Sequence, residues 1–340
     1  MPSSKPNSKI SEPEYRQDLI TGDWVIIAES RGRRPDEFSK NRTKRKIAPL
    51  KNCPFENLAN SDNENPVYTY PNLPNWELQI IPNKYPSLKP NLPLPSFSRS
   101  YKNIFTSTKA YGYHELIISK NHYQNFPNLP KNKASQILLS AQTRYKFFKT
   151  KPGLEYAFMF HNWGPTAGAS VFHPHYQLVG LSILPTYISH SLAGSKKYHR
   201  QTGRFAYSDL IIQEKKHKQR IIFENKHAIS FTNYVSKEPF DFKVFPKKHS
   251  PFFEIADQKE IKGVAEVLQK SLLTLEKKLK DPDYNFFIHS APLKNQARHN
   301  HYHWHLDVVP KISVPGGIEI GTGLEITSVD PDKAASFLKK

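Results

Sequence analysis

Apolar residues recur at three- and four-residue spacing in two long windows of the chain. Ile261, Val264, Leu268, Leu272, Leu275 and Leu279 form one stripe and predict an amphipathic helix over about Asp257 to Lys280. Ala134, Leu138, Ala141, Tyr145 and Phe148 form another and predict a helix from about Lys131 to Lys149. A short apolar run with a polar end follows each stripe. Tyr156 to Asn162 and Tyr284 to His289 therefore read as strands. Lys40 to Pro66 and Lys89 to Ser100, rich in Pro, Asn, Ser and charge, read as loops.

The two windows belong to a longer repetition. Glu115 to Phe126 runs as an apolar strand, a Lys-containing turn ending in His122 and an aromatic, then the first helix. Phe242 to Phe253 runs the same way through His249 into the second. Each copy ends on a histidine cluster read as part of a strand, His173-Pro-His175 in the first and His301-Tyr-His303-Trp-His305-Leu-Asp307 in the second. Two such strand–helix–strand–strand units predict an α+β fold, with largely antiparallel sheets, flanking helices and a pseudo-twofold. The division is residues 1–195, with the catalytic motif, and 196–340, a degenerate copy. A polar linker with two glycines is expected near Ala193 to Arg204.

Composition narrows the class. A hydrophobic content of 37% over 340 residues supports a globular core. The longest apolar stretches are too short to span a bilayer, and the polar Met1 to Glu12 lacks the apolar core of a signal peptide. A single cysteine excludes an intrachain disulfide and fits a reducing cytoplasm. The net charge of +19 raises the question of a polynucleotide partner. Lysine, however, is scattered along the chain, and its densest run, Lys40 to Lys51, falls in a loop. A basic enzyme with anionic substrates is the expectation, without membrane or nucleic-acid partners.

His173 and His175 carry the chemistry. One residue apart on an extended strand, they project to the same face, so one ring can hold a metal while the other meets a substrate. Neutral imidazole is nucleophilic near pH 7 and can accept a nucleotidyl group without an auxiliary base. An isolated pair of this kind could equally be a chance arrangement on a strand edge. Gln177, on an otherwise apolar strand, is an amide that needs partners, which a phosphate would supply.

Several blocks in order resemble the galactose-1-phosphate uridylyltransferase family, the two-repeat branch of the histidine-triad superfamily. They are Arg16 to Ile27 with Arg31-Gly-Arg33-Arg34-Pro35, Cys53-Pro54-Phe55, Asn83-Lys-Tyr85-Pro86, Ser119 to His122, Asn162 to Gln177, and Gly316 to Gly323. The resemblance covers roughly residues 14 to 338. It implies a ping-pong transfer from a nucleoside diphosphate sugar to a sugar 1-phosphate or phosphate. His175 would be the nucleophile, and Gln177 would donate to the phosphate oxygens. Arg31, Arg34 and Ser170 match positions near phosphate, and Asn83 and Asn162 match positions at the nucleotide.

The resemblance also implies a structural zinc and a homodimer that completes the hexose site. The family's zinc site uses Cys-x-x-Cys with two histidines; the matching set here is Cys53, Glu56, His122 and His173, still acceptable for tetrahedral zinc. Some members hold a second metal through a carboxylate after the first histidine motif and late histidines. His289, His303 and His305 resemble the late positions, but no glutamate lies between Tyr176 and Lys197. The early partner is missing, and whether a second metal is held stays open. Gly321-Thr322-Gly323-Leu324-Glu325 lacks the Tyr-Glu pair used in hexose recognition. Uridylyl transfer to galactose 1-phosphate, a step of galactose metabolism, is the first expectation. Adenylyl transfer from ADP-glucose to phosphate is the second, and a non-catalytic nucleotide or nucleic-acid binder on the same fold the third.

Overall fold

The computed structural model describes residues 12–29, 38, 45–56, 58, 62–96 and 105–339. The first half contributes β1 (Glu14–Gln17), β2 (Trp24–Ile27), β3 (Tyr68–Tyr70), β4 (Leu78–Pro82) and β5 (Gly112–Ser119). It continues through α1 (Lys131–Thr150), β6 (Tyr156–Trp163) and β7 (His175–Leu181). Two helices, α2 (Thr186–Thr202) and α3 (Ala206–His217), lead into β8 (Ile221–Glu224), β9 (Ala228–Thr232) and β10 (Phe242–Pro246). Next come α4 (Gln258–Leu279), β11 (Tyr284–His289) and β12 (His305–Pro310). The chain ends in α5 (Gly317–Thr322), β13 (Glu325–Thr327) and α6 (Pro331–Lys339).

The strand order β3-β4-β5-β7-β6-β11-β12-β10-β9-β8 makes one ten-stranded sheet. It reads the same from either edge, since β5-β7-β6 mirrors β10-β12-β11 about the β6–β11 junction. The repeats are thus two halves of one antiparallel α+β sheet. Phe160 and Phe287 pair across that junction, and they pair with Gln177 and Asp307 respectively on their other sides. Gln177 and Asp307 are therefore pseudo-twofold equivalents. A smaller sheet, β1-β2-β13, contains the one parallel pairing among the described strands, β2 with β13.

The predicted helices form where the stripes place them. Asp257 caps α4 by accepting the Glu260 backbone N–H at 2.8 Å, which starts the helix at Gln258, one residue after the expected start. The stripes of α1 and α4 pack together with Tyr176, Leu178, Met159, Phe286, Leu306 and Val308 in the main core. With period-two alternation, His175, Gln177, Phe160, Phe287 and Asp307 face the opposite side. There, over the second half, α2 and α3 cover Ile229, Phe231 and Phe245.

Two expectations change. The stretch expected to be a linker is helical, because Leu192 and Ser195 of α2 are buried on the sheet, and Gly203 closes the helix with a left-handed φ of 69°. His173 precedes its strand, which starts at His175. No described helix is long and apolar enough to cross a membrane.

Candidate active site

Glu115 and Arg144 fix which way β5 faces. The buried Arg144 of α1 donates two hydrogen bonds to Glu115, at 2.5 and 2.7 Å. With Glu115 turned to the helices, its neighbours His114 and Leu116 turn to the other side, beside β7. This places three polar side chains, His114, His175 and Gln177, on one face.

His175 is buried, and its Nδ1–H donates to the His173 carbonyl at 2.9 Å. That bond assigns the proton to Nδ1 and leaves the Nε2 lone pair free. Burial lowers the pKa of His175 below its usual value, so the ring is neutral at pH 7. The His175 carbonyl meets His161 Nδ1 at 2.8 Å, which anchors the start of β7. Phe55 packs edge-on against both histidines, its centroid 5.8 Å from His173 and 5.1 Å from His175. The loop that carries Cys53 and Glu56 therefore also buttresses the free imidazole.

Gln177 is oriented by His114. The Ser87 backbone N–H donates to His114 Nδ1 at 3.2 Å, which puts the imidazole proton on Nε2. That proton is directed at Gln177 Oε1, 2.8 Å away. Burial lowers the His114 pKa, which keeps the ring neutral. With its oxygen engaged, Gln177 presents its NH2 group away from His114. Asn83 lies against the same ring, Nδ2 3.1 Å from Nε2, and its Oδ1 accepts the Tyr85 N–H at 2.9 Å. In this tautomer both atoms are donors, so Asn83 borders the group without a hydrogen bond to His114. His114 was missed from the sequence, although it is the polar member of an alternating face with Leu116 and Ile118.

The remaining residues expected at substrate are placed differently. Asn162 accepts from Asn285 at 2.8 Å and donates to the Gly168 carbonyl at 3.4 Å. It holds the loop after β6, where Gly164 turns at a φ of 90° and a Cβ would collide with Asp283. Ser170 is exposed further along that loop. Arg31 and Arg34 lie outside the described residues.

Cys53, Glu56, His122 and His173 could hold a metal ion, their ligand atoms all lying within 4.8 Å of one another. His173 donates from Nε2 to the Ser119 carbonyl at 2.7 Å, and His122 from Nε2 to the Ala48 carbonyl at 2.9 Å. Both rings therefore turn an unprotonated Nδ1 inward, as outer-shell carbonyls arrange for ligating histidines. Cys53 Sγ lies 3.4 Å from His173 Nδ1, and Glu56 lies 3.5 Å from His122 Nδ1. His122 Nδ1 is buried with no hydrogen-bond partner, an arrangement a metal ion would satisfy. Burial pushes His173 down to about 4, which keeps its nitrogen available to a cation. The donor set fits a metal.

Comparison with known proteins gives the family and the fold. A family model described as the N-terminal domain of galactose-1-phosphate uridyl transferase matches residues 3–185. A second model, described as a domain of unknown function, matches residues 96–338. The ADP-glucose phosphorylase of Arabidopsis thaliana is 30% identical over 331 residues, covering 96% of this chain and 93% of its own. The galactose-1-phosphate uridylyltransferase of Thermotoga maritima is 23% identical over 336 residues, covering 96% and 98%. A crystal structure of the Arabidopsis phosphorylase with bound ADP-glucose superposes with a TM-score of 0.82 at 29% identity, covering 97% of this chain and 99% of that one. A uridylyltransferase structure with a TM-score of 0.72 at 23% identity, covering 96% and 97%, shares the fold.

Proposed function

The chain belongs to the galactose-1-phosphate uridylyltransferase family, and from that premise we propose that it transfers a nucleotidyl group through a covalent adduct on His175. It is a nucleotidyltransferase of this family. The observation that carries the mechanism is the bond from His175 Nδ1 to the His173 carbonyl, which leaves Nε2 as a neutral nucleophile. Nε2 attacks the α-phosphorus of a nucleoside diphosphate sugar. A P–N bond forms, the bond from that phosphorus to the bridging oxygen breaks, and the sugar 1-phosphate departs with the electron pair. The positive charge that develops on the ring is shared through Nδ1–H with the His173 carbonyl. An oxygen of the second phosphate then attacks the same phosphorus, and the P–N bond breaks to restore His175. The NH2 of Gln177 stabilises the charged oxygens in both steps; Asn83, Arg31 and Arg34 are proposed to contact substrate, and Asn162 and Ser170 to act through the loop after β6 that they shape.

For the donor, the likeness to the plant phosphorylase in sequence and structure favours ADP-glucose, with inorganic phosphate as acceptor. This reverses the order expected from the sequence, where UDP-glucose and galactose 1-phosphate came first. The test is direct. The protein is incubated with ADP-glucose or UDP-glucose alone and weighed intact. An added adenylyl group supports the first donor and an added uridylyl group the second, while no adduct with either sinks the covalent mechanism.

Zinc is the proposed ion for Cys53, Glu56, His122 and His173, a set suited to tetrahedral coordination. It would act structurally, tying the Cys53 loop to the backbone that holds His175. We also propose a homodimer. Val314 and Ile320, 91% and 77% exposed in the segment around α5, are apolar side chains that a second copy would cover. Light scattering tests it.

A further inference from the structure

The second repeat repeats the geometry of the first and replaces its chemistry at two facing positions. His305 Nδ1 donates to the His303 carbonyl at 2.9 Å, as His175 does to His173. His303 Nε2 bonds the Pro246 carbonyl at 2.9 Å, as His173 bonds Ser119. His305 is therefore the counterpart of the nucleophile, and Asp307 the counterpart of Gln177. Opposite Gln177 on β5 stands Leu116, whereas opposite Asp307 on β10 stands Lys243. A neutral amide beside an apolar side chain has become an ion pair.

His289, His305 and Asp307 are buried, and their ligand atoms lie within 4.8 Å of one another. Two imidazoles and a carboxylate are donors that divalent ions accept. His289 presents both ring nitrogens without a hydrogen-bond partner. His289 and His305 are two of the three histidines that resemble the late positions of that second metal, and Asp307 is not among them. The carboxylate, however, is taken. Lys243 Nζ lies 2.6 Å from each Asp307 oxygen, while His289 Nε2 and His305 Nε2 lie 3.6 Å from those oxygens. An ion shared by the three donors would sit against the ammonium, with little water to screen the repulsion. As it stands, the set does not fit a metal.

Access is not what excludes it. His289, Lys243 and Asp307 line a cavity of about 510 Å³ walled by Tyr156, Phe158, Tyr187 and Phe287. A hydrated cation has room to arrive and finds the Asp307 carboxylate already paired.

We infer that Lys243 is the resident cation of this cluster, its ammonium standing where a divalent metal would otherwise be held by His289, His305 and Asp307. Metal binding in the second repeat is suppressed by the lysine on β10, with the three donors in place. Removing that one charge should uncover a metal site.

The test counts metal in the full chain after equilibration with Co2+ and gel filtration. Lys243→Met should bind one equivalent more than the unmodified protein and gain a visible d–d band; Lys243→Arg should gain neither. Adding His305→Asn to Lys243→Met should remove the extra equivalent. In the unmodified protein, His289→Gln should leave the metal count unchanged. Loss of one equivalent on His289→Gln would overturn the inference, as would a folded Lys243→Met that gains none. Should Lys243→Met fold only when Co2+ is added, by circular dichroism, the inference is supported. Should it not fold at all, the His289→Gln comparison decides it alone.

Discussion

His114 Nε2 and Gln177 Oε1 lie 2.8 Å apart across β5 and β7, and this bond decides which end of the Gln177 amide faces away from His114. An unconstrained amide can rotate and offer its oxygen, which would repel a phosphate. Donation from His114 to the oxygen removes that alternative. His114→Ala should slow transfer about tenfold, the scale of one misplaced hydrogen bond. His114→Asn, which can still donate, should recover part of it. Gln177→Ala should cost about a hundredfold. A His114→Ala enzyme with full kcat in both half-reactions would show that the amide needs no such orientation.

The Cys53 group should matter for stability more than for chemistry. Metal analysis after dialysis should find about one zinc per chain, the stoichiometry of a closed structural site. Cys53→Ser and His122→Ala should lower metal content and melting temperature together, since an ion bound only by the folded state adds its binding free energy to stability. His122 should be the more sensitive position, because its Nδ1 has no other partner. A metal-free protein with unchanged melting and full activity would show that Glu56 has retired the site.

Glu276 provides a pH-dependent link between the two repeats. From α4 it accepts from Asn128 at 2.9 Å and from Asn125 at 3.3 Å, both in the turn that leads into α1. Burial, reinforced by the charge of Asp281, pushes its carboxyl up to about 7. A raised carboxyl pKa contributes stability that is full below the unfolded value, near 4.5, and is lost as pH rises through about 7. Glu276→Gln has no proton to lose. Relative to that variant, the unmodified protein should lose about 3 kcal/mol between pH 4.5 and 7, read from paired melting curves. A difference that stays constant over this range would place the carboxyl at its ordinary value.

The α4 stripe and the limits of β11 were legible because burial on one side of an element imposes its period on the sequence. The α2 helix was not. Its residues Ala193 to Thr202 are polar enough to resemble a connection, and their place on the sheet depends on Phe231 and Phe245, far along the chain. The histidine motif pointed to a shared strand face, yet His173 sits before β7, separated from it by Pro174, which has no N–H to give the sheet. His114 and Lys243 were invisible for a common reason. Each acts on a residue of a neighbouring strand, at a separation of 63 or 64 positions, which only strand register brings together. Asn162 was noticed, but its bond to Asn285 comes from the pairing of the two repeats.

The order of events separates this class of enzyme from a nucleotide binder or a direct-displacement transferase. If His175 Nε2 accepts the nucleotide, sugar 1-phosphate should appear from the donor before any acceptor is added. Initial-rate plots against the two substrates should then be parallel. The adduct should behave as a phosphoramidate, stable in alkali and cleaved in acid. His175→Ala should retain less than about a hundredth of the activity while keeping its fold, since loss of a nucleophile normally costs several kcal/mol of barrier. Gln177→Ala should slow both half-reactions to a similar degree, because each passes through the same charged phosphorus centre. Intersecting plots with no nucleotide retained on the intact chain would move the weight to simple binding. A steep salt dependence of affinity for random RNA would then identify a polyphosphate ligand and give the net charge of +19 its function.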